Sequence, residues 1–264
     1  MKSLKELQNL TGKTAFISGG AGYLGSAMCE TLAELGANIA IASRDKEKCI
    51  KYAQSLTDRF GTRNIGLKAD ITKIEEVKKA YEDTVLAFGG IDILINNAWS
   101  GNKNTFESIS YEDWHYDVEI CLNAVFYAVK EAFPYLKKSK GVILNVGSMY
   151  GHIAPDHRLY DGKETANPPS YGAAKAAVLQ LTKYLASFLS PHGIRVNAIS
   201  PGPYPFPVTQ EQNPAFIDRL GAKNMLNRIG EPDDLKGTIA LLCSDASKYM
   251  TAQNICVDGG WSQW

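Results

Sequence analysis

The sequence predicts an α/β fold, a doubly wound parallel sheet in one domain. Three observations carry this: an apolar strand running into a glycine turn and a helix near the N-terminus, short apolar runs spaced along the chain, and helical patterns between them. The first unit is an apolar run at 14–18, the turn Gly19-Gly20-Ala21-Gly22-Tyr23-Leu24-Gly25, and a helical pattern to Gly36. Further strands are expected at 38–43, 65–69, 91–96, 141–147, 195–200 and 255–257, and helices at 46–60, 73–88, 112–138, 171–192 and 231–244. Runs this continuously apolar suit parallel strands covered on both faces. The 264 residues show no linker, repeat or low-complexity stretch, which fits a single domain over 1–264 with a polar insertion at about 152–169 and a Pro-rich lid loop at about 201–225.

Composition narrows the function classes. With 28 basic and 28 acidic residues the formal charge is zero, so nothing electrostatic argues for nucleic acid or an anionic membrane surface as a partner. No apolar stretch approaches the ~20 residues of a membrane span. Residues 1–11 mix Lys2, Lys5 and Glu6 with Leu4, Leu7 and Leu10, an amphipathic turn rather than a secretory core. The five cysteines lack CxxC or metal-ligand spacing, so reduced thiols, no metal and a cytoplasmic setting are expected.

In a doubly wound sheet, ligands bind beyond the carboxyl ends of the strands. There stand Gly19, Gly22, Tyr23, Leu24 and Gly25, then Ser43 and Arg44, Asp70 and Ile71, Asn97 and Ala98, Ser148, and Pro201 with Gly202. A glycine turn before a helix lets the backbone approach a pyrophosphate, whose charge the free N–H groups and the helix dipole attract. Downstream, Tyr171 and Lys175 are an i, i+4 pair that sets an ammonium beside a phenol. A free tyrosine titrates near ~10, and acid/base work around neutrality needs its phenolate stabilised by roughly 3 units, about 4 kcal/mol, which a fixed cation helps supply.

Taken in order, the glycine turn, Asp70, Asn96-Asn97-Ala98, Asn123, Ser148, Tyr171 with Lys175, and Pro201-Gly202 after Arg195-Val196-Asn197 resemble the single-domain short-chain dehydrogenases/reductases over essentially the whole chain. The resemblance implies a Rossmann fold and hydride transfer between a nicotinamide and a substrate carbonyl or secondary alcohol. It implies Tyr171 as general acid or base, Lys175 lowering its pKa and holding the nicotinamide ribose, Ser148 bonding the substrate oxygen, and Asn123 ordering a water-linked proton relay. A homotetramer or homodimer is also implied.

Three departures stand out. The turn reads GxxGxxG, with Tyr23 where such members usually carry the middle glycine, so Tyr23 is expected along the cofactor. Trp99 replaces the glycine that commonly follows Asn-Asn-Ala and is expected in the pocket wall. Phe206 stands where a nicotinamide-contacting threonine is common, the nearest threonine being Thr209, and the alternating Pro201, Pro203, Pro205 and Pro207 favour an extended, stiff lid entrance.

Ser43-Arg44, where a carboxylate would mark NAD(H), favours NADP(H), with NAD(H) left open by Asp45. For the substrate, Trp99, His157, Arg158 and Tyr204 are the candidate contacts. His152, Asp156, Tyr160, Asp161, Lys163 and Glu164 give the insertion a polar edge suited to a hydroxylated or acidic small molecule. Trp261 and Trp264 suit either a pocket wall or a subunit contact. A sugar, sugar acid or polyol oxidoreductase of the gluconate 5-dehydrogenase kind is the leading expectation. A 3-oxoacyl carrier-protein reductase is the alternative, and a non-catalytic cofactor-binding regulator or scaffold the alternative of another class.

Overall fold

A computed structural model describes residues 1–160, 162 and 166–263. The strands are β1 (Thr14–Ser18), β2 (Asn38–Ser43), β3 (Asn64–Lys68), β4 (Ile93–Asn96), β5 (Val142–Val146), β6 (Arg195–Pro201) and β7 (Asn254–Val257). They form one parallel sheet in the order β3-β2-β1-β4-β5-β6-β7. The order reverses between β1 and β4, which opens a crevice above their carboxyl ends.

Helices cover both faces: α1 (Leu4–Gln8), α2 (Tyr23–Glu34), α3 (Lys46–Phe60), α4 (Ile74–Phe88), α5 (Tyr111–Val118), α6 (Ala124–Ser139), α7 (Pro169–Leu189), α8 (Pro207–Gln212), α9 (Pro214–Ala222) and α10 (Lys236–Cys243). Alternate strand residues feed two cores. Ile17, Ile39, Ile41, Ile93 and Ile95 pack with Met28 and Leu32 of α2, Leu56 of α3 and Ile239 of α10. Phe16, Ala40, Leu94 and Ile143 pack with Tyr81 of α4, Leu136 of α6 and Leu189 of α7 on the other face. Period-two strands covered twice are why the sequence reads as unbroken apolar runs.

Two local features set the site. The helix expected over 112–138 is interrupted by a π-helical segment, Glu119–Asn123, between α5 and α6. The Pro-rich stretch, expected as a stiff extended entrance, runs extended only to Phe206; Pro207 and Pro214 then open α8 and α9 from the first helical positions, where a missing N–H costs nothing.

Candidate active site

The glycine turn is shaped by contacts that exclude side chains. Gly19 has φ +67, and a Cβ there would meet Ala98 Cα at 2.9 Å; at Gly25 it would meet the Gly19 carbonyl oxygen at 2.2 Å. Gly22 caps α2 with no side-chain hydrogen bond, and a Cβ on it would touch only the Gly19 oxygen, at 3.1 Å, so its outer side is open to a ligand. Asn97 pins the turn from β4, its amide nitrogen donating to the Ser18 and Gly19 oxygens at 3.0 and 3.1 Å. Gly25→Ala is expected to cost about 1–3 kcal/mol, because the obstacle is backbone. Thermal unfolding checks this, and an unchanged Tm would count against the packing described.

The crevice, about 830 Å³, is lined by Gly19, Gly22, Tyr23, Leu24, Gly25, Ser43, Arg44, Asp70, Ile71, Asn97, Ala98, Ser148, Tyr171, Lys175, Pro201 and Gly202, every cofactor-contact candidate of the sequence. Lys48 joins them from the first turn of α3. At that end Asp45 spends its carboxylate capping α3, accepting from the Lys48 N–H at 3.0 Å. Burial pushes the Asp70 carboxyl up, but bonds from the Thr72 N–H and hydroxyl, with the Arg44 and Lys73 charges, hold it below the usual range. Tyr23 packs its ring 5.5 Å from that of Phe206, tying the glycine turn to the lid.

At the other end Ser148 leaves β5 and accepts the Tyr150 N–H at 3.1 Å. The helix carrying Tyr171 and Lys175 is anchored by a buried chain in which Asn96 Nδ2 donates to Asn145 Oδ1 at 2.8 Å, Asn145 Nδ2 donates to Thr182 Oγ1 at 2.9 Å, and Thr182 donates to the Val178 oxygen at 2.9 Å. Its start is held by Ser170, whose hydroxyl donates to the buried Asp117 carboxylate at 2.6 Å. A buried network with every member paired fixes helix position better than apolar contact alone. Asn96 therefore belongs to the support beneath the site rather than to its lining.

The electrostatics differ from the expected phenol of lowered pKa. Burial pushes the Tyr171 hydroxyl up to about 12, with the neighbouring Ser148 opposing. Burial also lowers Lys175, whose ammonium donates to the Val146 oxygen at 2.6 Å and stands 5.7 Å from the centroid of the Tyr171 ring. Trp99 forms the expected wall, edge-on to Tyr171 with centroids 5.7 Å apart.

Several expectations are corrected. Asn123 does not line the crevice; its amide nitrogen lies 2.6 Å from Glu119 Oε2 on its own helix, while from this segment Ile120 lines the crevice and Ile120 and Cys121 belong to the cluster against which Tyr171 packs. Neither His157 nor Arg158 reaches the crevice: both are exposed, and Arg158 forks onto Asp156 at 2.8 Å, which also accepts from Lys223 of the lid at 2.9 Å. The insertion contributes Tyr160 and Asn167 instead, while Asp161, Lys163 and Glu164 lie outside the described residues. Tyr204 lines the crevice with its hydroxyl committed to the Val257 oxygen at 3.1 Å. Trp261 is buried with Met149, Tyr150 and Phe216 rather than presented to a partner, and Trp264 lies outside the described residues.

The crevice thus joins an end where Arg44 and Lys48 stand beside Asp45 and Asp70, a glycine turn that admits a pyrophosphate, and a buried serine and lysine with a partly buried tyrosine, and these residues fit a nicotinamide dinucleotide. A family profile described as enoyl-(acyl carrier protein) reductase matches residues 20–262. The 2,5-dichloro-2,5-cyclohexadiene-1,4-diol dehydrogenase of Sphingobium indicum is 33% identical over 96% of this chain and 97% of its own. The 3-oxoacyl-[acyl-carrier-protein] reductase of Staphylococcus epidermidis is 31% identical over 94% and 98%. Among solved structures, a gluconate 5-dehydrogenase from Burkholderia cenocepacia, in complex with NADP and tartrate, superposes with a TM-score of 0.89 at 28% identity, covering 99% of this chain and 100% of that one. The chain belongs to the short-chain dehydrogenase/reductase family, nicotinamide-dependent oxidoreductases that act on alcohol and carbonyl groups.

Proposed function

We propose that the protein is an NADP(H)-preferring oxidoreductase of a small polar substrate, a sugar, sugar acid or polyol. The observation that carries the reading is one crevice with Arg44 and Lys48 at one end and Ser148, Tyr171 and Lys175 at the other. When bound, the cofactor supplies or accepts the hydride. Ser148 holds the substrate oxygen, Tyr171 gives its proton in reduction and takes it back in oxidation, and Lys175 supplies positive charge beside the phenolate as it forms. The cofactor preference rests on the Arg44 and Lys48 cations, which can grip a 2′-phosphate, with the neighbouring Asp45 carboxylate engaged in capping α3 while also lining that end. Arg44→Ala and Lys48→Ala are each expected to weaken NADPH about 10- to 100-fold, the value of a charge-assisted bond, and NADH little. Steady-state KM values for both cofactors check this, and equal losses would contradict it.

For the substrate, Ser100, Tyr150, Tyr160 and Asn167 place hydroxyl and amide groups around the reacting end. Met149, Phe216 and Leu220 in the same wall, with the carrier-protein reductase likeness, support acyl reduction as a second reading. Turnover of aldonates, keto-sugars and polyols against 3-oxoacyl thioesters separates the two. Exposed Tyr111, Phe126, Tyr184 and Phe188 support assembly as a homotetramer or homodimer, which light scattering reads directly. No helix of the described residues is long and apolar enough to cross a membrane. The cysteines are free thiols, which supports a cytoplasmic setting.

A further inference from the structure

The helix opposite the Tyr171–Lys175 pair is interrupted by the π segment Glu119–Asn123, and such segments re-aim side chains and recur at functional sites. Asn123 is turned onto Glu119. Cys121 is turned onto α7 instead: it is 2% exposed and packs with Ala174 and against Tyr171. Its thiol lies near the Trp99 side chain and near enough to Lys175 for their charges to act on one another. Trp99 stands edge-on to the same Tyr171 ring. One small, weakly polar sulfur is therefore placed among Trp99, Tyr171 and Lys175.

We propose that Cys121 is the positioning residue this helix supplies to the Tyr171–Lys175 pair, a weak hydrogen-bonding group that leaves the Lys175 ammonium on the Val146 carbonyl and adds no strong polar partner on that side of the phenol. A thiol is a poor acceptor, so it does not compete for the ammonium as an amide or hydroxyl would. The 2.6 Å bond from Lys175 to Val146 is what such a neighbour permits. This rests on the functional reading above, since it assigns how that pair is tuned.

The titratable groups that face Tyr171 are Cys121 from the π segment, Lys175 on its own helix and Tyr150 from the turn after β5, while Asp117 of α5 faces Cys121. With burial holding Tyr171 up to about 12, its phenolate is absent in the mildly alkaline range. The test needs no substrate: an ultraviolet titration of phenolate absorbance, taken as the difference between each chain and the same chain carrying Tyr171→Phe. Cys121→Asn and Cys121→Ser are expected to bring the Tyr171 midpoint down by about one unit, because each adds a polar group beside the forming phenolate. Cys121→Ala keeps it high, and Asn123→Ala lowers Tm through loss of the Glu119 bond without moving it. Cys121→Ser is near-isosteric and carries the test if Cys121→Asn does not fold. An unmoved midpoint in a folded polar variant, or a midpoint that moves with Asn123→Ala, overturns the proposal. If the titration is unmoved while Tyr171→Phe abolishes turnover, this inference alone fails; turnover that survives Tyr171→Phe removes the functional reading instead.

Discussion

Tyr171→Phe is expected to lower kcat by about 10³-fold while leaving the Kd for NADP(H) within about threefold, since the proton donor disappears and the ring remains. Phenylalanine keeps the edge contact with Trp99 and the packing on Cys121, so thermal stability should be preserved. The same residue fixes the pH behaviour. Its hydroxyl is pushed up to about 12 by burial, so the phenol holds its proton throughout the neutral range and is competent to donate in carbonyl reduction. Oxidation needs the phenolate. The oxidation rate is therefore expected to climb with pH to at least about 10, the free tyrosine value, while the reduction rate stays level. Initial rates in each direction across that range check it, and an oxidation rate that levels off below it while reduction falls would point to a different proton carrier.

Lys175→Met is expected to cost about 10²- to 10³-fold in turnover, yet to leave Tm equal to the parent or higher. The ammonium is buried, with one oxygen partner, that of Val146, and burial depresses its pKa. A group that binds its proton less tightly when folded opposes folding wherever it is protonated, and that penalty is present at neutral pH and relieved only as pH rises through the depressed value. Replacing such a group with an apolar chain of similar length is often neutral or stabilising. The variant thus separates function from fold: calorimetry and turnover should move in different directions, and a large fall in both would mean that Lys175 is a structural tie.

Most of the framework was legible because its signals are local. The strands fall within a few residues of their apolar runs, and the glycine turn, Ser148, Tyr171 and Lys175 all reach one crevice. What was missed depends on rotation about a helix or on competition between partners. The pattern over 112–138 remains amphipathic through the π segment, so nothing in it reveals that Cys121, rather than Asn123, faces α7. Lys48 was overlooked although it stands four residues after Arg44, because the helix entry that brings both to the crevice is set by Asp45 as a cap. Arg158 looked like a substrate contact by charge alone, but Asp156 draws it outward and Lys223 binds the same carboxylate to the lid. The expected lowering of Tyr171 failed for a related reason: the i, i+4 spacing sets Lys175 beside the ring, while its head group is taken by the Val146 oxygen.

The most direct test of the central claim is a nicotinamide-absorbance assay of the intact enzyme with NADP(H) and NAD(H) against aldonates, keto-sugars, polyols and 3-oxoacyl thioesters, run in parallel with Tyr171→Phe. Turnover that prefers NADP(H), falls on the polar substrates and vanishes in the variant is the predicted result. Turnover that persists in Tyr171→Phe, or cofactor binding with no turnover on any of these compounds, would contradict it.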